Sequence, residues 1–241
     1  MPIEVKNTRD LTNPWLATIT YGPPKSGKTT FAASLGEKPM VVDFDDGVLS
    51  LKELGVNYVQ PRTWEEVLGL VADIRSGQLR KTVDYDHIIW DSHTFFYMIV
   101  MEGVLRLSNR KQPQIQDWGL ANDRVKLVYD QLVKTRAQQR FHFTIVCHER
   151  TDKDENTGII LGGINATPQL MAMLPGMFDE LYYLTAKATA GSDGKLFVKR
   201  SLYTVSSGLF PAGTRSAGKL ESIEVPDFKA IYAKIIGGVK K

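Results

Sequence analysis

The chain has 241 residues, 43% of them hydrophobic and 24% charged, with a formal net charge of +3, values that suit one large, well-filled globular domain. So small a charge carries no argument for nucleic acid by itself, and any basic surface must come from local clustering. The single cysteine, Cys147, excludes an internal disulfide and fits a reducing compartment; residues 1–9 are polar and no apolar run approaches the ~20 residues of a membrane span, so a soluble, cytoplasmic protein is expected.

Residues 1–14 read as a polar lead-in. Residues 16–21, Leu-Ala-Thr-Ile-Thr-Tyr, read as a buried strand, and residues 29–35 as the start of a helix. Between them lies Gly22-Pro-Pro-Lys-Ser-Gly-Lys-Thr-Thr30, which fits the phosphate-loop spacing G-x-x-x-x-G-K-[ST]. Each residue type has a physical task there. Gly27 lets the backbone approach phosphate without a Cβ, and the amides from Lys25 through Ser26, Gly27, Lys28 and Thr29 to Thr30 can form a concave anion nest. Lys28 is placed to reach the β- and γ-phosphates, and the Thr29 hydroxyl to ligate Mg²⁺. A strand before the loop and a helix after it are the context this motif needs, so ATP and Mg²⁺ are the expected cofactors.

Residues 39–44 form a second strand pattern that runs into Asp45, Asp46 and Gly47, and residues 56–59 a short third. Thr63 and Glu66 have capping-box spacing for a helix over 64–76. Residues 87–92, His-Ile-Ile-Trp-Asp-Ser, predict a strand ending in Asp91, the expected Mg²⁺-side carboxylate; a surface aspartate capping the next helix is the competing reading. Helices follow over 94–108, where Phe95, Phe96 and Tyr97 read as core, and over 117–139, with Leu120, Val125, Val128 and Leu132 on one face. The loop between them carries Arg106, Arg110 and Lys111, either a solvated or a DNA-facing cluster.

Residues 141–147 predict another central strand, ending at His148 and Glu149. A loop is expected over 150–167, with Arg150, Lys153, Asn165 and three glycines, long enough to be functional. A helix over 168–174, a strand over 180–185, a turn at 191–194 and a strand over 196–204 predict an antiparallel hairpin at the sheet edge. Arg215 and Lys219 read as exposed, and Asp227 caps a last helix before a basic tail, residues 227–241. No repeat or linker divides residues 1–241, so one domain is expected, a three-layer α/β fold with a mostly parallel central sheet and a C-terminal antiparallel hairpin.

The order of phosphate loop, Val-Asp-Phe-Asp-Asp-Gly, Trp-Asp-Ser, Cys-His-Glu and terminal hairpin resembles the RecA-like P-loop ATPase core over residues 16–225. More narrowly it is similar to small phage-encoded ATPases of single-strand annealing and recombination, a likeness that includes Gln116-Asp-Trp-Gly-Leu-Ala-Asn122. The resemblance implies a DNA-stimulated ATPase that binds single-stranded DNA and promotes annealing or recombination, as a homo-oligomeric ring or filament, in the host cytoplasm if phage-encoded. A single-strand DNA-binding protein is a further partner it implies. Lys28, Asp45, Asp91 and His148 then carry catalysis, with Thr29 and Asp91 on the metal. Asp45 stands where RecA-like proteins usually have a water-activating glutamate, one methylene longer, with Asp46 as a neighbouring substitute. Arg150, Lys153 and Asn165 fall in the DNA-contacting loop, and Arg215 and Lys219 where a neighbouring subunit's phosphate is reached. A helicase-related or loader ATPase acting on a protein, a nucleotide-gated module with weak hydrolysis, and a small-molecule kinase remain alternatives.

Overall fold

A computed structural model describes residues 14–153, 155, 158, 160–191, 194–216 and 218–237. The polar lead-in before Pro14, the basic tail after Gly237, four positions between 154 and 159 and two positions of the 191–194 turn lie outside the described residues. The strands are β1 (Ala17–Gly22), β2 (Pro39–Asp43), β3 (Asn57–Val59), β4 (His87–Asp91), β5 (His142–Lys153), β6 (Ile160–Ile164), β7 (Glu180–Ala190), β8 (Leu196–Tyr203), β9 (Gly213–Thr214) and β10 (Ile223–Glu224). The α-helices are α1 (Lys28–Ala33), α2 (Trp64–Ser76), α3 (His93–Leu107), α4 (Ile115–Gln139), α5 (Pro168–Met177) and α6 (Phe228–Ile236).

The strands lie in the order β10-β8-β7-β1-β5-β4-β2-β3. Every pairing from β7 across to β3 is parallel, and β7–β8, β8–β10, β7–β9 and β5–β6 are antiparallel. Strands β1 and β4 are buried along their whole length, as strands covered on both faces are, with Thr18 and Thr20 of β1 buried among apolar neighbours. This is the mostly parallel sheet with an antiparallel C-terminal hairpin expected from the sequence.

Strand pleating divides the core into two layers. Ala17, Ile19 and Tyr21 of β1, Ile88 and Trp90 of β4, and Phe143, Ile145 and Cys147 of β5 face α2, α3, α4 and α5. The intervening Ile89 and Val146 face α1, and α6 closes that side through Phe228, Ile231 and Ile235. Phe31 of α1 stacks on Phe228 with ring centroids 4.8 Å apart. The capping box of α2 forms as the spacing predicts: Thr63 accepts from the Glu66 amide at 3.2 Å, and Glu66 accepts from the Thr63 amide at 3.2 Å. Such a cap stabilises a helix by about 1 kcal/mol.

Several expectations change. The segment over 150–167 is not a plain loop: β5 runs on to Lys153 and pairs with β6 as an antiparallel hairpin. Two of its glycines answer to packing: a Cβ on Gly162 would lie 2.7 Å from the Phe210 ring and one on Gly163 2.9 Å from Met171. Helix α4 begins two residues early, because Gln114 and Asp117 form a reciprocal cap there. Its buried stripe runs through Ala121, Val125, Val128 and Leu132, while Leu120, about 100° away, faces solvent. Of the three aromatic residues of α3, only Phe96 is core; Phe95 is exposed and Tyr97 half-buried. A 3₁₀ helix over Gly47–Leu54 follows β2.

At the amino edge of the sheet, His87 and His142 are buried with rings 5.9 Å apart. His142 Nδ1 accepts from the Leu16 amide at 3.0 Å, so that nitrogen carries no proton. Burial holds His87 well below the usual imidazole range and lowers His142 to about 4. Because the folded pKa lies below the unfolded one, the stabilisation is complete above about pH 6.5 and is lost as pH falls toward 4. Denaturant unfolding at pH 7 and pH 5 should therefore differ, with His142 alone accounting for about 2 kcal/mol. His142→Asn, whose carbonyl oxygen can take the Leu16 amide, should remove the His142 share of that pH dependence and leave the share due to His87.

Candidate functional site

The carboxyl edge of the parallel strands gathers the predicted residues. The phosphate loop leaves β1 at Gly22, between β5 and β7. A Cβ on Gly22 would meet the Leu184 carbonyl oxygen at 2.1 Å, so the close approach of the two strands requires glycine. Gly27 has φ +97 and supplies no side chain to cap α1, which leaves the first-turn amides of Lys28, Thr29 and Thr30 directed along the helix axis. Lys25 is exposed, with φ 63, and the buried Ser26 hydroxyl has no hydrogen-bond partner among the described residues. Lys28 is 6% exposed and folds back on its own loop, donating to the Gly22 and Pro23 carbonyls at 3.1 and 2.8 Å. Burial lowers its pKa, and Asp91 opposes that shift.

Pleating decides the acidic side. Asp91 and His148 have the parity of Ile89 and Val146, so both point to the α1 face, where the loop lies. Thr29 Oγ1 donates to Asp91 Oδ2 at 2.5 Å. Burial pushes the Asp91 carboxyl up to about 7; the Thr29 hydrogen bond lowers it and Asp45 raises it further. The Asp91–Ser92 peptide is cis.

Three aspartates after β2 have separate surroundings. Asp43 Oδ1 accepts from the Gly47 amide at 3.0 Å, and its Oδ2 from Gln60 at 2.7 Å, which fixes the turn. Asp46 is held by Arg62 and by Gln60. Asp45 Oδ1 is buried without a hydrogen-bond partner among the described residues, and burial and Asp43 raise its pKa. His148 is paired in register with Gly22; burial and then Lys28 depress its pKa, and Asp45 raises it. Glu149 points the other way and accepts from the Tyr183 hydroxyl at 2.9 Å. Among the described residues, no group of three His, Cys, Asp or Glu forms a protein-only metal cage. A hydroxyl beside one carboxylate, next to a nest of amides, fits Mg²⁺, which takes few protein ligands and completes its shell with phosphate and water. The orphaned Ser26 and Asp45 oxygens and the uncapped helix turn are consistent with a Mg²⁺–nucleotide between them.

One residue at the loop was not visible in the sequence. Arg200, on β8, places Nε 3.1 Å from the Ser26 carbonyl, and a Cβ on Gly27 would lie 3.0 Å from that same Nε. Its terminal nitrogens make no hydrogen bond among the described residues. Arg150 and Lys153 are exposed on the distal half of β5, with Arg150 paired to Asp152, while the Asn165 amide donates to the His148 carbonyl at 2.7 Å. Arg215 lies at the opposite, amino edge of the sheet, bound to Asp179 and to the Gly176 carbonyl at 3.0 and 2.7 Å. Lys219 is exposed, and its ammonium caps the carboxyl end of α6 at Ile235. Arg106 pairs with Glu65, and Arg110 with the buried Asp117, so both arginines have partners within the chain.

No helix among the described residues is long and apolar enough to cross a membrane. No curated protein matches the chain. The crystal structure of the RadB recombinase is similar at 18% identity, over 78% of this chain and 79% of that chain, with a TM-score of 0.41. A family model described as an AAA domain matches residues 16–216. With its phosphate loop, Asp91 strand and mostly parallel sheet, the chain belongs to this AAA domain family.

Proposed function

We propose that this chain is a Mg²⁺-dependent ATPase that binds single-stranded DNA and promotes annealing or recombination, with residues 1–241 as one domain. The observation that carries the ATPase part is the convergence of Lys28, Thr29, Asp45, Asp91 and His148 at one sheet edge. ATP and Mg²⁺, when bound, supply the γ-phosphoryl group and the charge that draws its oxygens together. Amides of residues 25–30 would hold the phosphates, Thr29 and Asp91 would hold the metal, and Lys28 would turn from its loop carbonyls toward phosphate. Asp45 orients the attacking water and holds its proton at Oδ1. His148, on which Lys28 and Asp45 act with opposite sign, registers the state of the site. Arg200 adds a cation from the same chain, through the terminal nitrogens left free by its Nε contact.

The DNA part rests on Arg150, Lys153 and Asn165, which lie on or beside the β5–β6 hairpin. The backbone bond from Asn165 to His148 links that hairpin to the nucleotide edge. Assembly into a ring or filament belongs to the same reading; Arg215 and Lys219 would have to leave Asp179 and the end of α6 to reach a neighbouring subunit.

Lys28→Ala should lower ATP hydrolysis by on the order of 10²-fold or more, and a parental rate would overturn the site. Asp45→Asn should lower turnover while ATP still binds, whereas Asp46→Asn should stay near the parental rate, because Asp46 faces Arg62. Arg200→Ala should weaken ATP binding about 10-fold, as loss of a charge-assisted contact does, with partial recovery in Arg200→Lys. Hydrolysis should rise with single-stranded DNA at low salt, and the stimulation should fade steeply as salt increases. A rate indifferent to DNA at every salt concentration would remove the DNA part and leave the ATPase standing.

A further inference from the structure

Across the end of β4 from the phosphate loop lies a cavity of about 600 Å³ between α3, α4 and the segment that joins β6 to α5. Asp91 points to the nucleotide side and His93, two residues on, lines the cavity. The two spaces thus share one strand end and lie on opposite faces of the sheet.

Its walls have an unusual composition. Tyr97 and Trp118 lie nearly parallel, at 19° with centroids 6.2 Å apart, and Trp118 is 44% exposed at the rim. A large aromatic side chain more often packs away from water, so this indole face is available for stacking. Asn122 is buried at the inner wall: its carbonyl accepts from the Tyr97 and Thr167 hydroxyls at 3.1 and 2.9 Å, and its amide donates to Gln169 Oε1 at 2.8 Å. That last contact fixes the Gln169 side chain and leaves its amide nitrogen as a free donor among the described residues.

Behind the lining surface, His93 is 1% exposed; its Nδ1 is bound to the Tyr129 hydroxyl at 2.9 Å, and neither its Nε2 nor the buried Thr94 hydroxyl has a hydrogen-bond partner among the described residues. Among the lining residues only Arg150 is charged, and no carboxylate is present. A flat stacking face, neutral edge-reading groups and one cation at the rim fit a planar heterocycle joined to a phosphate.

We propose that this cavity takes a nucleobase of single-stranded DNA, stacked on Trp118, with its edge toward Gln169 and its phosphate near Arg150. This rests on the single-strand-binding reading given above. The Asn165 amide, held by the His148 carbonyl, borders the same cavity, so a seated base and a bound nucleotide bear on one stretch of β5.

The test uses the full chain and an end-labelled oligothymidylate, with anisotropy reporting total DNA binding and tryptophan emission reporting Trp118. The parent should bind with its emission quenched. Trp118→Ala should weaken binding on the order of 10-fold and lose the quench, Trp118→Phe should recover most of the affinity, and Gln169→Ala should weaken binding several-fold. An unchanged thermal midpoint checks that each variant is folded. Parental affinity and unchanged quenching in Trp118→Ala would overturn the cavity assignment while leaving DNA binding in place. Absence of binding by the parent would overturn both. If thymidine monophosphate quenches Trp118 as tightly as the oligonucleotide does, the base chemistry holds and the polynucleotide source is overturned.

Discussion

At the carboxyl edge of the sheet, one ammonium and two carboxyl groups are taken out of water within reach of one another. Desolvating an ionised side chain costs several kcal/mol unless neighbours answer it, and here the chain's own atoms answer only part. Lys28 spends its donors on two carbonyls of its own loop. Asp91 keeps one hydroxyl donor and a pKa of about 7, and the buried Asp45 Oδ1 has no hydrogen-bond partner among the described residues. The remaining demand is for one divalent cation and several anionic oxygens, which is the demand a Mg²⁺–nucleotide meets. Much of the surrounding structure keeps these groups converged: two glycines that permit close approach, Gln60 and Arg62 that hold the neighbouring aspartates, and parallel strands that end together.

The period-two alternation of strands distributes function as well as packing. Odd positions of β5 give Phe143, Ile145, Cys147 and Glu149 to the α2–α5 layer; the even ones give Val146 and His148 to the nucleotide side. Beyond the sheet the same strand bends into the hairpin that carries Arg150 and Lys153. A single strand thus passes from the core to the phosphate loop's flank and then to the proposed DNA surface. The Asn165–His148 backbone bond ties the returning strand to the middle of that path.

What the sequence made legible was local. The phosphate loop, the strand ending in Asp91, the capping box at Thr63 and the cap at Asp227 each lie within a few residues of what they organise, and the fold places them as their spacing predicts. What stayed hidden depends on distant neighbours. Arg200 reaches the phosphate loop from 174 residues away in the chain, and no pattern on an exposed strand announces such a contact. Gly162 reads as loop chemistry until Phe210 is seen against it. The choice between Asp45 and Asp46 turns on Arg62 and Gln60, which fill one aspartate's bonds and leave the other free. Gln114 is an uncommon cap, so the start of α4 was displaced by two residues.

Cys147 has so far been only a core residue, yet its position makes it an internal clock. It is the chain's one cysteine, fully buried and paired in register with Tyr21 one residue before the phosphate loop. Burial drives its thiol far above the usual range, which keeps it protonated and unreactive in the closed molecule. An added thiol reagent therefore consumes only molecules whose central strands have parted, and its rate measures how often the nucleotide edge opens. Anything that braces that edge slows the labelling, so a single natural side chain turns occupancy of the loop into a readable time.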